Sequence, residues 1–117
     1  MKKYFRLEKH KDINVIYLLF TEISMAEAEE LKMQLYDLIT GESKKFLIDL
    51  DKLIFLPSVV LGILVSFSKR ISEAGGRLVF SCLTEQMKTV FRVTKLKSIF
   101  LTYETEEEAL KSFKKTE

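Results

Sequence analysis

The sequence predicts an α/β domain whose sheet is mostly parallel, with an antiparallel hairpin at its N-terminal edge and about four helices. Two observations lead to this prediction. Apolar runs typical of strands alternate with segments of helical periodicity, and residues that start or end helices lie between them. The chain has 117 residues without a linker or an internal repeat, so residues 1–117 are expected to form one domain.

The first two elements are predicted to form the hairpin. Residues 4–9 alternate apolar and charged side chains, which is typical of a half-buried strand. A charged turn follows at residues 10–12. Residues 13–20 are almost wholly apolar, as in a strand covered on both faces. We expect the two strands to pair with each other.

The first helix is expected to begin at Ser24, whose hydroxyl forms the pattern of a capping box with the carboxylate of Glu27. Gly41 is expected to end this helix, from a position suited to a positive φ. The apolar side chains that repeat at helical spacing between these two ends are Ala28, Leu31, Leu35, Leu38 and Ile39.

The remaining elements continue the alternation of strands and helices. The predicted strands are residues 46–50, 77–81 and 99–103. Pro57 is expected to open the second helix, and Gly75-Gly76 to close it. Thr84 is expected to cap the third helix, and a second capping box at residues 105–108 opens the last helix.

The second helix carries the most informative pattern. One side of it is a complete core stripe, made of Val60, Ile63, Leu64, Phe67, Ile71 and Ala74. The opposite side is small and apolar for two turns, where an ordinary surface helix would be charged. That side consists of Ser58, Leu61, Gly62, Val65 and Lys69. Either another part of the chain covers it and Ser58 only serves the helix start, or it is exposed and binds a partner.

The segment around this helix start resembles the signature of STAS domains, the family of bacterial anti-sigma factor antagonists. Residues 47–62 read LIDLDKLIFLPSVVLG. The family signature is an apolar strand ending in Asp-Leu, a short loop, and Asp-Ser-Ser-Gly-Leu-Gly at the start of a helix. Further matches lie in GGRLVF at residues 75–80, VF at 90–91, TKL at 94–96 and EEAL at 107–110. The order of elements agrees as well, so the resemblance implies a single STAS-like domain.

The resemblance also implies a function. In that family the first serine of the run is phosphorylated by a kinase that is itself the anti-sigma factor, and Ser58 stands at its position. Pro57, Val59 and Val60 stand where the family has Asp, the second Ser and Gly. The implied protein is a non-enzymatic regulator that binds an anti-sigma factor serine kinase, frees a sigma factor and is switched by phosphorylation of Ser58. Its expected partner-binding residues are Ser58, Leu61, Gly62, Val65 and Lys69.

The departures from the signature leave other interpretations open. The chain could be a STAS adaptor domain without a working phosphoswitch, in a stress-signalling or membrane-transport assembly. The apolar helix face could also serve weak self-association into a homodimer. A small enzyme using Asp49, Asp51 or Cys82 is a third interpretation, because carboxyl ends of parallel strands commonly carry sites. The simpler role for one of these aspartates is to accept hydrogen bonds from the backbone of the following loop.

Composition narrows the classes of function. The chain has one cysteine, Cys82, and one histidine, His10, which exclude an internal disulfide, a multi-thiolate zinc site and the usual His-pair metal sites. Both common glycine motifs for phosphate binding are missing, so no cofactor is expected. No metal is expected either, and Mg²⁺ bound by Asp49 and Asp51 is the less favoured alternative to their role in the loop. A net charge of +2 does not favour binding to nucleic acid. Since no apolar run reaches the about 20 residues of a membrane span and no secretory signal is visible, we expect no membrane insertion and a cytoplasmic location.

Overall fold

The computed structural model describes residues 3–114. Within this range it confirms the predicted α/β architecture, with a five-stranded sheet and four α-helices. In chain order the elements are β1 (Phe5–His10), β2 (Ile13–Leu18), α1 (Met25–Tyr36), β3 (Lys45–Asp49), α2 (Ser58–Glu73), β4 (Arg77–Ser81), α3 (Glu85–Val93), β5 (Leu101–Tyr103) and α4 (Glu106–Ser112), with a short 3₁₀ helix (Leu96–Ser98) before β5.

The strands lie in the order β1-β2-β3-β4-β5 across the sheet. β1 is antiparallel to β2, and every other pair is parallel. Helices α1, α2 and α3 form the parallel crossovers and pack on one face of the sheet, while α4 packs on the other. Consequently, the carboxyl ends of β2 to β5 meet at one end of the sheet, and the loop that leads to α2 leaves from there.

The larger hydrophobic core lies between the sheet and the layer of α1, α2 and α3. Its centre is aromatic. The rings of Phe46 and Phe67 meet edge to face with their centroids 5.5 Å apart, and Phe80 contacts Phe91 at 6.1 Å and Phe100 at 4.6 Å. Each such pair contributes about 0.5–1.5 kcal/mol beyond the burial of its area. Because α2 buries one stripe in this core, its opposite stripe must face outward.

A smaller core lies under α4. Ala109 and Phe113 pack there against Val15, Leu47 and Val79, which alternate along their strands with the residues of the larger core. This alternation confirms that β2, β3 and β4 are covered on both faces, as the apolar run after residue 12 predicted for β2.

The end of α2 shows why the chain has two glycines there. Gly75 adopts a φ of +82°, a conformation that side chains disfavour. A Cβ on Gly76 would lie 2.3 Å from the carbonyl oxygen of Lys44, so only glycine fits this close approach. The prediction that Gly75-Gly76 closes the helix is confirmed, since α2 ends at Glu73 with Ala74 as its C-cap.

Two local predictions were wrong. α1 ends at Tyr36 and not at Gly41, because the chain tightens into i to i+3 hydrogen bonds from the N–H groups of Leu38 and Ile39. Both side chains still pack against the larger core. In addition, β1 is exposed along most of its length and not half-buried: Leu7 is 40% exposed, because in residues 3–114 no helix covers that part of the sheet edge.

Candidate partner-binding site

The site begins in the loop of residues 50–57, which joins β3 to α2. Three leucines of this loop are buried and anchor it to the larger core, namely Leu50, Leu53 and Leu56. Ile54 and Phe55, which lie between the last two of them, are 63% and 64% exposed. The loop therefore holds two large apolar side chains in solvent immediately ahead of the helix.

Hydrogen bonds from neighbouring strands and helices fix this loop. The Oδ1 atom of Asp49 accepts from the N–H of Asp51 at 2.8 Å, so Asp49 serves the following loop as expected for one of the two aspartates. The hydroxyl of Thr84 donates to the carbonyl oxygen of Leu53 at 2.8 Å. The position of the start of α2 is thus set from outside the helix.

The first turn of α2 carries no side-chain cap. Pro57 is the N-cap residue, with a φ of −59°, and gives no side-chain cap hydrogen bond. The first intrahelical bond runs from the N–H of Leu61 to the carbonyl oxygen of Pro57 at 3.0 Å. The N–H groups of Ser58, Val59 and Val60 precede it and have no partner within the helix. The prediction that Pro57 opens the helix is confirmed.

Ser58 is the first residue of α2, and its side chain is exposed. Within residues 3–114 its hydroxyl makes no hydrogen bond, so it does not act as a cap. Gly62, Val65 and Lys69 are also exposed and follow Ser58 along one stripe of the helix. Leu61 differs from them, because it is half-buried and packs partly against the larger core.

We call the outward stripe of α2, together with the two exposed residues of the preceding loop, the α2 surface. It consists of Ile54, Phe55, Ser58, Leu61, Gly62, Val65 and Lys69. The sequence reasoning missed Ile54 and Phe55 as members of this surface. Leu53 to Leu56 are four consecutive apolar residues without a period of two or of 3.6, so no pattern separates those that point outward from those that point inward.

Gly62 has a special place in the α2 surface. A Cβ added there would have no atom within 4 Å, and its φ is not positive. The fold therefore does not require a glycine, and a side chain at position 62 would project directly from the surface.

The other candidate residues lie apart from Ser58. Asp49, Cys82 and Glu106 cluster at the start of α4 on the opposite face of the sheet, where the hydroxyl of Tyr17 donates to Glu106 Oε1 at 2.7 Å. Burial raises the pKa of the Asp49 carboxyl and also that of the Cys82 thiol, so the thiol is held in its less reactive neutral form. His10 is exposed as the last residue of β1, so the turn spans only residues 11–12 and the prediction that His10 lies in it was wrong.

The comparisons with known proteins agree with this architecture. The family model of the STAS domain matches residues 4–109. The chain is a STAS domain. A curated relative of this STAS domain is BtrV of Bordetella bronchiseptica, a candidate anti-sigma factor antagonist, which is 26% identical over 92 residues, 79% of each protein.

Solved structures place the same fold in proteins of this type. An anti-sigma-factor antagonist (STAS) domain protein from Planctomyces limnophilus matches with a TM-score of 0.81 and 25% identity, over 92% of this chain and 96% of that one. The Bacillus cell fate determinant SpoIIAA, solved in its phosphorylated form, matches with a TM-score of 0.70 and 22% identity, over 93% and 98% of the two chains. This STAS domain thus has relatives that are named anti-sigma factor antagonists. Within residues 3–114, none of its helices is both long and apolar enough to cross a membrane.

Proposed function

We propose that this STAS domain is a non-enzymatic anti-sigma factor antagonist, which binds an anti-sigma factor serine kinase through the α2 surface and thereby frees a sigma factor. Phosphorylation of Ser58 ends the binding. The observation that supports this most is the exposed Ser58 hydroxyl, at the start of a helix whose outward stripe is apolar. Ile54 and Phe55 extend the apolar area on the side of the loop.

The proposed modification is a simple phosphoryl transfer. The kinase moves the γ-phosphoryl group of ATP to Oγ of Ser58, the hydroxyl proton leaves, and ADP is released. The STAS domain contributes only the acceptor atom. The access of that atom to a kinase follows from the exposure of Ser58 and from its lack of a hydrogen bond within the described chain.

The charge of the phosphate explains how the switch works. A phosphoserine carries about −1.5 to −2 charges at neutral pH. Within the domain this charge is tolerated, because the N–H groups of Ser58, Val59 and Val60 and the positive end of the helix lie beside it. In the complex the same phosphate would lose its water against Val65 and Phe55, which costs several kcal/mol without a cation to pair with. Binding is therefore lost while the fold is kept.

The departures from the family signature define the competing proposal, an adaptor domain without a switch. Val60, which stands where the family has Gly, is fully buried in the core and contributes to packing. The first turn of α2 therefore lacks the flexible glycine of the signature. Val59 removes the second serine of the signature. If a kinase needs those neighbours, the α2 surface would still bind a partner in a stress-signalling or membrane-transport assembly, but without control by phosphate.

The experiment measures phosphorylation and binding separately. The domain is incubated with the cognate serine kinase of its organism and ATP, and peptide mass spectrometry locates the phosphate. Kinase affinity is then titrated for Ser58→Ala and Ser58→Asp. We expect phosphate on Ser58, nearly unchanged affinity for S58A, and a loss of at least about a hundredfold for S58D.

Ser24→Asp is the matched control for the added charge. It places an aspartate at the start of α1, where Asp is as good a cap as Ser, and should leave kinase binding unchanged. Binding of S58D at wild-type strength would refute the switch. Strong binding of both Ser58 variants without phosphorylation would instead support the adaptor.

A second pair of variants tests the surface itself. Gly62→Arg adds a long side chain in the middle of the α2 surface, and Gly41→Arg adds the same side chain in an exposed loop; in neither place would the new Cβ meet another atom within 4 Å. We expect only G62R to abolish partner binding. Equal binding by both variants would remove the α2 surface from the interface.

A further inference from the structure

Within residues 3–114, β1 is an edge strand of the sheet, and its sequence is complementary to itself. Its six residues read FRLEKH, and Arg6 to His10 are all exposed. Charged residues on an edge strand normally discourage pairing with another strand. Here, however, the order is Arg6, Leu7, Glu8. When a second copy of the strand is laid antiparallel to the first, Arg6 of one copy lies across from Glu8 of the other.

The hydrogen bonds between β1 and β2 show which backbone groups of β1 are free. The N–H of Leu19 donates to the carbonyl oxygen of Tyr4 at 2.9 Å, so directly opposed residues exchange hydrogen bonds at that pair. In an antiparallel ladder such pairs alternate with non-bonded ones. It follows that Arg6, Glu8 and His10 bond inward to β2, whereas the N–H and C=O groups of the alternate residues point out of the sheet. Those residues are Phe5, Leu7 and Lys9.

We propose that β1 is a self-docking edge, through which two copies of this STAS domain join their sheets about a two-fold axis at Leu7. In this register Leu7 opposes Leu7 of the second copy, and Phe5 opposes its Lys9. All three outward-pointing residues of each strand are then used in hydrogen bonds. A shift by two residues would leave some of those groups unpaired.

The side chains favour the same register. On the face that α4 covers, each Arg6 lies directly across from Glu8 of the other copy. Within one chain Arg6 already pairs with Glu8 at 2.7 Å and stacks over the ring of Tyr17 at 4.3 Å. The dimer therefore builds a ring of four alternating charges from groups that are already oriented. On the opposite face Leu7, which is 40% exposed, meets its own copy.

We expect this dimer to be weak. A single strand pair supplies only part of the roughly 1,200–2,000 Å² that stable interfaces bury, so association should depend on concentration between micromolar and millimolar protein. The proposal is independent of the proposed function, because β1 is separated from β3 and β4 by β2, and the residues it uses are not those of the α2 surface.

The proposal can be tested by sedimentation equilibrium over that concentration range, with the wild type and with variants whose charges at positions 6 and 8 are reversed. Glu8→Arg and Arg6→Glu each place like charges opposite each other, and each should weaken the dimer by about tenfold or more. Mixing the two variants restores opposite charges across the strands and should restore a heterodimer. Leu7→Pro should remain monomeric without harm to the fold, because the lost N–H points away from β2.

Amide hydrogen exchange gives an internal control. The amides of Leu7 and Lys9 should become protected as the concentration rises, while those of Arg6 and Glu8 are protected throughout by β2. A wild-type domain that stays monomeric at millimolar concentration overturns the proposal. So does a dimer that withstands the charge variants, or one that Val65→Glu abolishes, since that dimer would use the α2 surface.

Discussion

The start of α2 differs from the starts of the other three helices in residues 3–114. α1, α3 and α4 each begin with a hydroxyl that accepts a hydrogen bond from the N–H three residues later, at 3.1, 3.2 and 3.1 Å. These caps are Ser24, Thr84 and Thr105. α2 has Pro57 as its N-cap residue and no side-chain cap, and the nearby hydroxyl of Ser58 is exposed to solvent. Within the described chain, three of these hydroxyls cap a helix, whereas the fourth makes no hydrogen bond and is exposed.

The difference shows how a helix start can be held in place and still remain accessible. The buried leucines of the preceding loop, the hydrogen bond from Thr84 to Leu53 and that from Asp51 to Asp49 position the first turn of α2. Because these contacts of the loop already hold the start of α2 in position, we expect the Ser58 hydroxyl to contribute little to the stability of the fold. Loss of the other hydroxyls should therefore cost stability, whereas changes at Ser58 should mainly affect binding.

The largest effect is expected at Thr84, which caps α3 and also holds the loop that leads to α2. Thr84→Ala removes the cap of Met87 N–H and leaves the carbonyl of Leu53 without its donor. We expect a loss of about 2 kcal/mol in the free energy of unfolding, measured by urea denaturation. Thr84→Ser keeps the hydroxyl and should retain most of that stability. Equal losses for both variants would mean that the methyl group matters and the two hydrogen bonds do not.

A second test compares the two serines directly. Ser24→Ala removes the hydroxyl that accepts from the Glu27 N–H, while the backbone N–H of residue 24 can still donate to the Glu27 carboxylate, and the change should cost about 1 kcal/mol. Ser58→Ala removes a hydroxyl without a partner and should change stability by less than about 0.5 kcal/mol, as at an ordinary surface position. The two unfolding curves, recorded under the same conditions, decide the matter. Equal losses would show that Ser58 caps α2 in solution.

This contrast between helix starts could be predicted in part from the sequence. Ser24, Thr84 and Thr105 were identified as caps because the signal is local, and Pro57 was identified as a helix start for the same reason. The prediction that Gly41 ends α1 was wrong, because the last carbonyl groups of the helix accept hydrogen bonds in tighter turns several residues before Gly41. Local signals of this kind fail where another local solution competes.

The outline of the candidate site was also predictable, whereas its extent was not. The helical period separated Ser58, Gly62 and Val65 from the core stripe, and all three are exposed. The exposure of Ile54 and Phe55 depends on which loop leucines find space in the core, which is a tertiary property. In the same way, the exposed Leu7 reflects the lack of a covering helix in the described chain, which alternation along one strand does not reveal.

A smaller effect is expected when the free helix start receives a charge. Ser58→Asp places a carboxylate beside uncapped N–H groups and should stabilise the fold by about 0.5 kcal/mol at low salt. Ser72→Asp is the matched control, since Ser72 is exposed in the last turn of the same helix, where a negative charge should destabilise by a similar amount. Both shifts should shrink as salt is added. Shifts of the same sign would exclude an effect of the helix dipole.

The smallest effect is expected at Asp49, which shapes the loop from its buried end. Burial raises the pKa of this carboxyl, so the folded chain holds its proton more tightly than the unfolded chain does. Its ionisation therefore lowers stability as the pH rises above the ordinary carboxyl pKa, at about 3.9. Asp49→Asn can keep the bond from Asp51 N–H through its amide oxygen and removes this penalty. We expect it to match the wild type at acidic pH and to be slightly more stable at neutral pH, with the exposed Asp51→Asn as the control for lost charge. A variant less stable than the wild type at neutral pH would mean that the loop needs the negative charge of Asp49, and that the start of α2 is held by electrostatics as well as by geometry.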